Sequence, residues 1–163
     1  MRRSVPTIPY RRKREQKTNY RKRLALLKSE KSRLIIRRTN KYIITQIISY
    51  EQKGDKILKF AHSKELIKLG WKYSCKNVQA AYLTGLLIGN KMKSEKNKEC
   101  IVDFGLHTPL KGCNKLYATM KGAIDAGLVI PVNVEVLPTE EQILGKNDKL
   151  KNDFESIKKK LLS

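Results

Sequence analysis

Every arginine of the chain lies in its N-terminal quarter. All ten fall between Arg2 and Arg38, and the residues that follow carry basic charge only as lysine. Residues 1–41 hold sixteen lysines and arginines against two glutamates. Arginine presents a rigid fork of donors that matches phosphate and can stack on a base, so solubility alone does not explain this clustering. The segment is therefore predicted to contact a polyanion rather than to build a core.

The composition of the whole chain fits one basic domain with an appendage. The 163 residues carry a formal charge of +21, and 40% of them are hydrophobic, which is enough for a core. The longest apolar runs fall short of the roughly 18–20 residues that span a membrane. We therefore expect a cytoplasmic protein with no membrane partner. A basic mitochondrial presequence is the alternative interpretation of the N-terminus.

The chain is predicted to divide into a basic appendage (1–28), an α/β domain (29–138) and a helical tail (139–163). Residues 1–14 have too little apolar surface to fold alone, so we expect an extended arm that becomes ordered on its partner. Residues 15–28 repeat apolar side chains at helical spacing and predict one short helix. Its apolar stripe would consist of Tyr20, Leu24 and Leu27.

The α/β domain is predicted to begin with three sequential strands. Residues 33–38, 41–48 and 57–61 are rich in β-branched side chains, which favours an antiparallel meander. A tight turn is expected at Thr39 and Asn40, because asparagine tolerates a left-handed backbone.

Helices and a further strand follow the meander. Ser63 can cap a short helix, and Asn77 can cap a longer one that is apolar nearly all round and hence buried. On this second helix, Gly85 and Gly89 should allow close packing onto the sheet.

A last strand and two helices complete the predicted fold. Residues 100–104 predict an interior strand and 114–126 a helix closed by Gly127, an order that implies a parallel crossover. In the tail, Thr139 begins a capping box, and an apolar stripe indicates a helix docked on this domain or on a neighbour. The predicted fold is α/β: a mixed sheet with an antiparallel meander and a parallel crossover strand, helices packed on it, a basic N-terminal extension and a C-terminal helix.

The chain offers little for catalysis. Asp103 and Asp125 are the carboxylates set among apolar residues, whereas a two-metal nuclease needs three or four. We expect both to bond backbone or lysines. Neither His62 nor His107 belongs to a metal-spaced pair, and no nucleotide-binding loop is present. The chain is predicted to be no enzyme and to have no cofactor, metal or small-molecule substrate.

Two kinds of residue are expected to pack rather than to react. The three cysteines, Cys75, Cys100 and Cys113, lack the paired spacing of a zinc site and are interpreted as reduced buried thiols. Trp71 could stack on a base, but packing is the favoured interpretation.

The polyanion is predicted to be RNA. No recognition helix, zinc finger or zipper is present to read a DNA major groove. A basic arm on a compact domain suits folded RNA, which is recognised by shape, phosphates and unpaired bases. A general nucleic-acid-binding or DNA-condensing protein is the alternative.

Several long strings of the sequence resemble one protein family. They are RRKRE at 11–15, RLALLKS at 23–29, RLIIRRTNK at 33–41, AAYLTGLL at 80–87, DFGL at 103–106 and KGAIDAGLVIP at 121–131. In this order they resemble the universal large-subunit ribosomal protein L-eighteen family in its archaeal form, whose eukaryotic cousin is ribosomal protein L-five. Many archaeal relatives have histidine where Val132 stands, and many continue with acidic tails beyond the lysine-rich end of this chain.

The resemblance implies a structural, non-catalytic protein that attaches 5S rRNA to the large rRNA in the central protuberance. Its implied partners are 5S rRNA, the large-subunit rRNA and the neighbouring universal ribosomal protein L-five. The residues then expected to contact RNA are Arg2, Arg3, Tyr10, Arg11, Arg12, Lys13, Arg14, Tyr20, Arg21, Arg23, Arg33, Arg37, Asn40, Lys41, Lys111 and Lys115.

Overall fold

The computed structural model of the chain describes residues 7–95, 98–107, 114–145 and 148–162. Predicted contacts Arg2, Arg3 and Lys111, and the thiol of Cys113, lie outside these residues. The elements are α1 (Arg11–Arg14), α2 (Tyr20–Leu27), β1 (Ser32–Arg38), β2 (Ile43–Ser49), β3 (Lys56–His62), α3 (Glu65–Lys68), α4 (Val78–Met92), β4 (Cys100–Asp103), α5 (Lys115–Asp125), a 3-10 turn (Val134–Val136), α6 (Glu140–Leu144) and α7 (Asp148–Leu162).

The strands form one mixed sheet in the order β3-β2-β1-β4. β1 pairs antiparallel with β2 and β2 with β3, whereas β4 pairs parallel with β1. The predicted meander and parallel crossover are confirmed. The prediction that β4 is interior is wrong, because β4 lies at an edge. Cys100 and Val102 pack into the core through one face of this strand, which needs no second neighbouring strand.

The turn between β1 and β2 depends on Thr39 instead of Asn40. The Thr39 hydroxyl donates to the carbonyl oxygen of Tyr42 and accepts from its backbone N–H, both at 2.9 Å. Among described non-glycine residues, a positive φ occurs at Gln16 and Glu30, so Asn40 is not left-handed. A side-chain bond across the loop replaces the left-handed residue that was predicted.

Helices α4 and α5 form the centre of the core. The cap predicted at Asn77 is confirmed: its side chain accepts from the N–H of Ala80 at 2.7 Å. The predicted close packing at Gly85 is made with α5 and not with the sheet. A Cβ at Gly85 would lie 2.0 Å from the carbonyl oxygen of Thr119, and one at Gly122 would lie 2.1 Å from that of Tyr82. The two backbones are therefore in direct contact at a pair of glycines.

Ser63 does not cap α3 as predicted. It is buried, and its hydroxyl accepts from the backbone N–H of Ile43 at 3.0 Å. The Glu65 side chain instead accepts from the N–H of His62 at 2.9 Å, just before the helix. Trp71 is 2% exposed, which confirms that it packs in the core.

The tail forms two helices rather than one. The capping box at Thr139 is confirmed, but α6 ends at Gly145 and α7 begins afresh. The stripe of Phe154, Ile157 and Leu161 is buried in the same core as α4, and the rings of Phe154 and Tyr82 are 5.5 Å apart. The C-terminal helix therefore docks on this domain.

The basic helix predicted over 15–28 begins later than expected, at Tyr20, and ends at Leu27. The prediction that residues 1–14 are extended is wrong at Arg11–Arg14, which form the single helical turn α1. Gln16, with a left-handed φ of 52°, separates the two helices. Leu24, predicted to lie on the apolar stripe, is 59% exposed. The side of α2 that meets the sheet carries Lys22 and Arg23, because both side chains find oxygen partners there.

We expect Gly85→Ala to destabilise the fold by about 3 kcal/mol, because a methyl group cannot fit against the α5 backbone without separating the helices. Guanidinium unfolding followed by circular dichroism measures this. Gly54→Ala, whose Cβ enters open space, is the control, and it should cost only the backbone strain at its φ of 143°, about 1 kcal/mol. Equal losses in the two variants would contradict the close helix contact.

Candidate nucleic-acid interface

The N-terminal region is anchored through Arg33, whose residue surface is 1% exposed. Its guanidinium donates to the Asp55 carboxylate at 2.7 Å and lies 3.7 Å from that of Asp103. Arg23, on α2, donates to the same Asp55 oxygen at 2.8 Å. One carboxylate thus joins helix and sheet. Arg33, which the sequence predicts to contact RNA, is buried in the structure, and its guanidinium is bonded to Asp55.

The charge of Asp55 is stabilised by this arrangement. Burial acts to raise the pKa of its carboxyl, but the hydrogen bonds and charges of Arg33 and Arg23 outweigh burial and lower the pKa below its usual range. Because the folded-state pKa is depressed, the resulting stability is present above the unfolded-state pKa. It is lost as the pH falls through the folded-state pKa.

A second set of bonds holds α2 at the end of β4. Arg37 donates to the backbone oxygen of Asp103 at 2.7 Å, and its guanidinium is 3.4 Å from that carboxylate. Asp103, expected to bond backbone or lysines, accepts from the N–H of Gly105 at 2.6 Å but pairs with arginines. Lys22 donates to the Gly105 oxygen at 3.1 Å. A Cβ at Gly105, where φ is 63°, would lie 2.9 Å from the Arg37 guanidinium, so this approach requires glycine.

Basic side chains from several helices and strands lie close together next to these bonds. The pKa of His107 is lowered by burial and then by the charges of Arg38, Arg37 and Lys22. The pKa of Lys115 is lowered by burial and then by Lys76 and Arg38. These side chains are therefore close enough to repel one another. We call this surface the basic face and define it as Lys22, Arg37, Arg38, Lys76, His107 and Lys115.

The basic face contains four residues that sequence reasoning did not select: Lys22, Arg38, Lys76 and His107. Lys22 and Arg38 belong to the arginine-rich segment, so composition alone could have included them. Lys76 precedes the cap of α4, and only the fold brings it beside Lys115 and Arg38.

Most of the remaining predicted contacts lie on exposed surface. Arg11, Arg12, Lys13 and Arg14 form the solvent-exposed turn α1, and Arg21 is exposed on α2. The rings of Tyr10 and Tyr20 are 5.3 Å apart and accessible. Asn40 and Lys41 are exposed in the hairpin turn that follows Arg38. Arg23 is half-buried and is committed to Asp55.

The described part of the chain gives little support for a metal site, a membrane span or a reactive thiol. No group of three or more histidine, cysteine or acidic side chains there could hold a metal ion. None of its helices is long and apolar enough to cross a membrane. Cys75 and Cys100 are buried free thiols, and burial raises the pKa of Cys100 to about 11, which keeps it protonated. Asp125 accepts from the Tyr82 hydroxyl at 2.7 Å.

Comparison with known proteins decides the family. Residues 7–99 match the model described as ribosomal large subunit proteins 60S L5 and 50S L18. The large ribosomal subunit protein uL18 of Korarchaeum cryptofilum (strain OPF8) is 49% identical over 140 residues, which cover 86% of this chain and 71% of that protein. The chain belongs to this L5/L18 family. The resemblance found in the sequence is thereby confirmed.

As an L5/L18 family member, the chain has a structural role in the large ribosomal subunit and is not an enzyme. The matched segment contains α1, α2 and four residues of the basic face, namely Lys22, Arg37, Arg38 and Lys76. The anchor Arg33 and its partner Asp55 lie within the same segment.

Asp55→Asn should destabilise this L5/L18 protein by about 3 kcal/mol, because it leaves the buried Arg33 cation without its main partner. Chemical unfolding at neutral pH measures the loss. The double variant Asp55→Asn/Arg33→Met should recover most of it, since an apolar side chain of similar length removes the unpaired charge. An absence of recovery would show that Asp55 acts through Arg23 alone.

Proposed function

We propose that this protein binds 5S rRNA and attaches it to the large rRNA in the central protuberance, beside the neighbouring universal ribosomal protein L-five. The observation that carries the proposal is the basic face, on which charges from α2, β1, the loop after β4 and the starts of α4 and α5 converge. Family membership and the resemblance of the sequence motifs support the choice of 5S rRNA as the ligand.

The basic face suits phosphate in three ways. It gathers cations whose mutual repulsion a polyanion relieves: the pKa of Lys115 is lowered by burial and then by the charges of Lys76 and Arg38. The N-terminal ends of α4 and α5 open beside Lys76 and Lys115, and their dipoles add positive potential. Arg37 is already held by Asp103, so little of its side-chain freedom is lost on binding.

The exposed turn α1 provides a second kind of contact. Its four basic residues have no buried side chain among them, so their charge is accessible. We propose that the basic face positions the RNA and that the exposed cations of α1 contact a second stretch of it. Contact with two RNAs is compatible with two such separate surfaces.

Replacing Arg38 by glutamine should weaken 5S rRNA binding and reduce the steepness of the salt dependence by roughly 0.7–0.9 log units, the contribution of one phosphate contact. The measurement is a titration of labelled 5S rRNA, repeated across salt concentrations. Lys159→Gln removes an equal charge from α7, where Phe154 and Leu161 lie beside Tyr82 and Asn90. Lys159 therefore lies toward the end of α4 opposite Lys76, and its variant should bind normally.

The alternative, a general nucleic-acid-binding or DNA-condensing protein, is tested in the same titration with duplex DNA of equal length in about 0.3 M salt. We expect clear preference for 5S rRNA. Equal affinity for both ligands would reject the ribosomal proposal, as would equal losses in the Arg38 and Lys159 variants.

Binding of 5S rRNA should strengthen as the pH falls through the range below about 6.5. In the free protein, burial and neighbouring cations lower the pKa of His107, so the ring is neutral at pH 7. Phosphates that neutralise those cations would raise this pKa, and binding would then take up a proton. Titrations at several pH values measure the slope, and His107→Gln should remove it. An unchanged slope in that variant would place the proton elsewhere.

A further inference from the structure

Two concave surfaces flank the connection between α1 and α2. The first is a cleft of about 140 Å³ between this connection and the sheet, and its cationic lining includes Arg12, Lys17, Lys22 and Arg37. This volume suits a single phosphate group rather than a whole nucleotide. The cleft is thus a narrow cationic recess that shares Lys22 and Arg37 with the basic face.

The charge of the cleft is only partly cancelled by ion pairs: Lys17 lies 2.9 Å from Glu15 and Arg37 lies 3.4 Å from Asp103, whereas Arg12 and Lys22 bond neutral oxygens. Arg12 donates to the Thr18 hydroxyl at 2.9 Å, and Lys22 donates to the Gly105 carbonyl oxygen at 3.1 Å. Both acceptors are neutral, so they orient the two cations and leave their positive charge available. Asp103 lines the cleft as well, but its carboxylate is shared between Arg33 and Arg37. An anion entering the cleft would therefore meet oriented donors.

The second concavity is larger and aromatic. It measures about 530 Å³, and its lining includes the rings of Tyr10 and Tyr20 together with the basic side chains of Lys13 and Arg21. The two tyrosine rings lie 5.3 Å apart at 55° and are exposed, Tyr10 by 74%. Exposed rings next to basic side chains form a surface on which a base can stack.

The two concavities are adjacent because Thr18, Asn19 and Leu106 line both of them. A phosphate recess beside an aromatic platform has the layout of one nucleotide. We propose that this site holds one unpaired RNA nucleotide, with its phosphate in the cleft and its base against Tyr10 and Tyr20. The inference rests on the proposed function, which it refines by naming an unpaired nucleotide as the element recognised.

The test uses the full chain and two probes that separate base from phosphate. One is a single-stranded oligoadenylate of about ten nucleotides, and the other is inorganic polyphosphate of equal charge. Tyr20→Ala should weaken oligoadenylate binding roughly 5- to 150-fold, the range for one base stacked on an aromatic ring, and leave polyphosphate binding unchanged. Tyr20→Phe should bind both probes normally, since the ring is retained.

Two further variants complete the experiment. Arg12→Gln should weaken both probes and lower the salt slope for oligoadenylate by about 0.7, as expected for one phosphate of a single strand. Tyr50→Ala, which removes an exposed tyrosine from the loop between β2 and β3, should change the binding of neither probe.

Equal loss of both probes in Tyr20→Ala, or no loss of either, would overturn the proposed site. Because these probes contain no 5S rRNA, that failure is distinct from a failure of the proposed function, which depends on preference for 5S rRNA over DNA. If Tyr20→Ala preferred oligoadenylate to polyphosphate as strongly as the unchanged protein does, the base would lie elsewhere.

Discussion

The buried charge of Arg33 is the constraint on which the functional surface depends. A guanidinium taken out of water is costly unless carboxylates accompany it, and here they come from the turn before β3 and from the end of β4. Forming this cluster therefore fixes both edges of the sheet relative to β1. Because Asp55 also binds Arg23, the same cluster fixes the position of α2.

This anchor explains why the arginine-rich segment serves two purposes. Arg33 and Arg23 form ion pairs with Asp55. Arg37 is paired with Asp103 but is still partly exposed. Arg38 and the arginines of α1 are exposed to solvent. The internal arginines orient the outer ones by holding α2 and the end of β1 in place. A lysine at position 33 could not bridge two carboxylates with a planar fork, which gives a structural reason for arginine there.

Local signals in the sequence predicted local features well. The helix cap at Asn77 and the capping box at Thr139 depend on neighbours within a few residues, and the meander follows from its β-branched runs. The features that were missed depend on distant partners. Gly85 meets a helix that begins thirty positions later, and Ser63 bonds a strand through its hydroxyl. The burial of Arg33 could not be predicted either, because the sequence pattern of β1 does not show that the distant carboxylate of Asp55 lies against it.

The basic face carries a cost that the core must offset. Burial and then the nearby charges of Lys76 and Arg38 lower the pKa of Lys115, so the free protein holds repelling charges close together. What prevents them from separating is the contact between α4 and α5, since the starts of these two helices carry Lys76 and Lys115. Close packing at Gly85 and Gly122 and the ion cluster around Arg33 thus oppose the same repulsion from two sides. Binding of a polyanion would relieve that repulsion, and so would stabilise the folded chain as well as the complex.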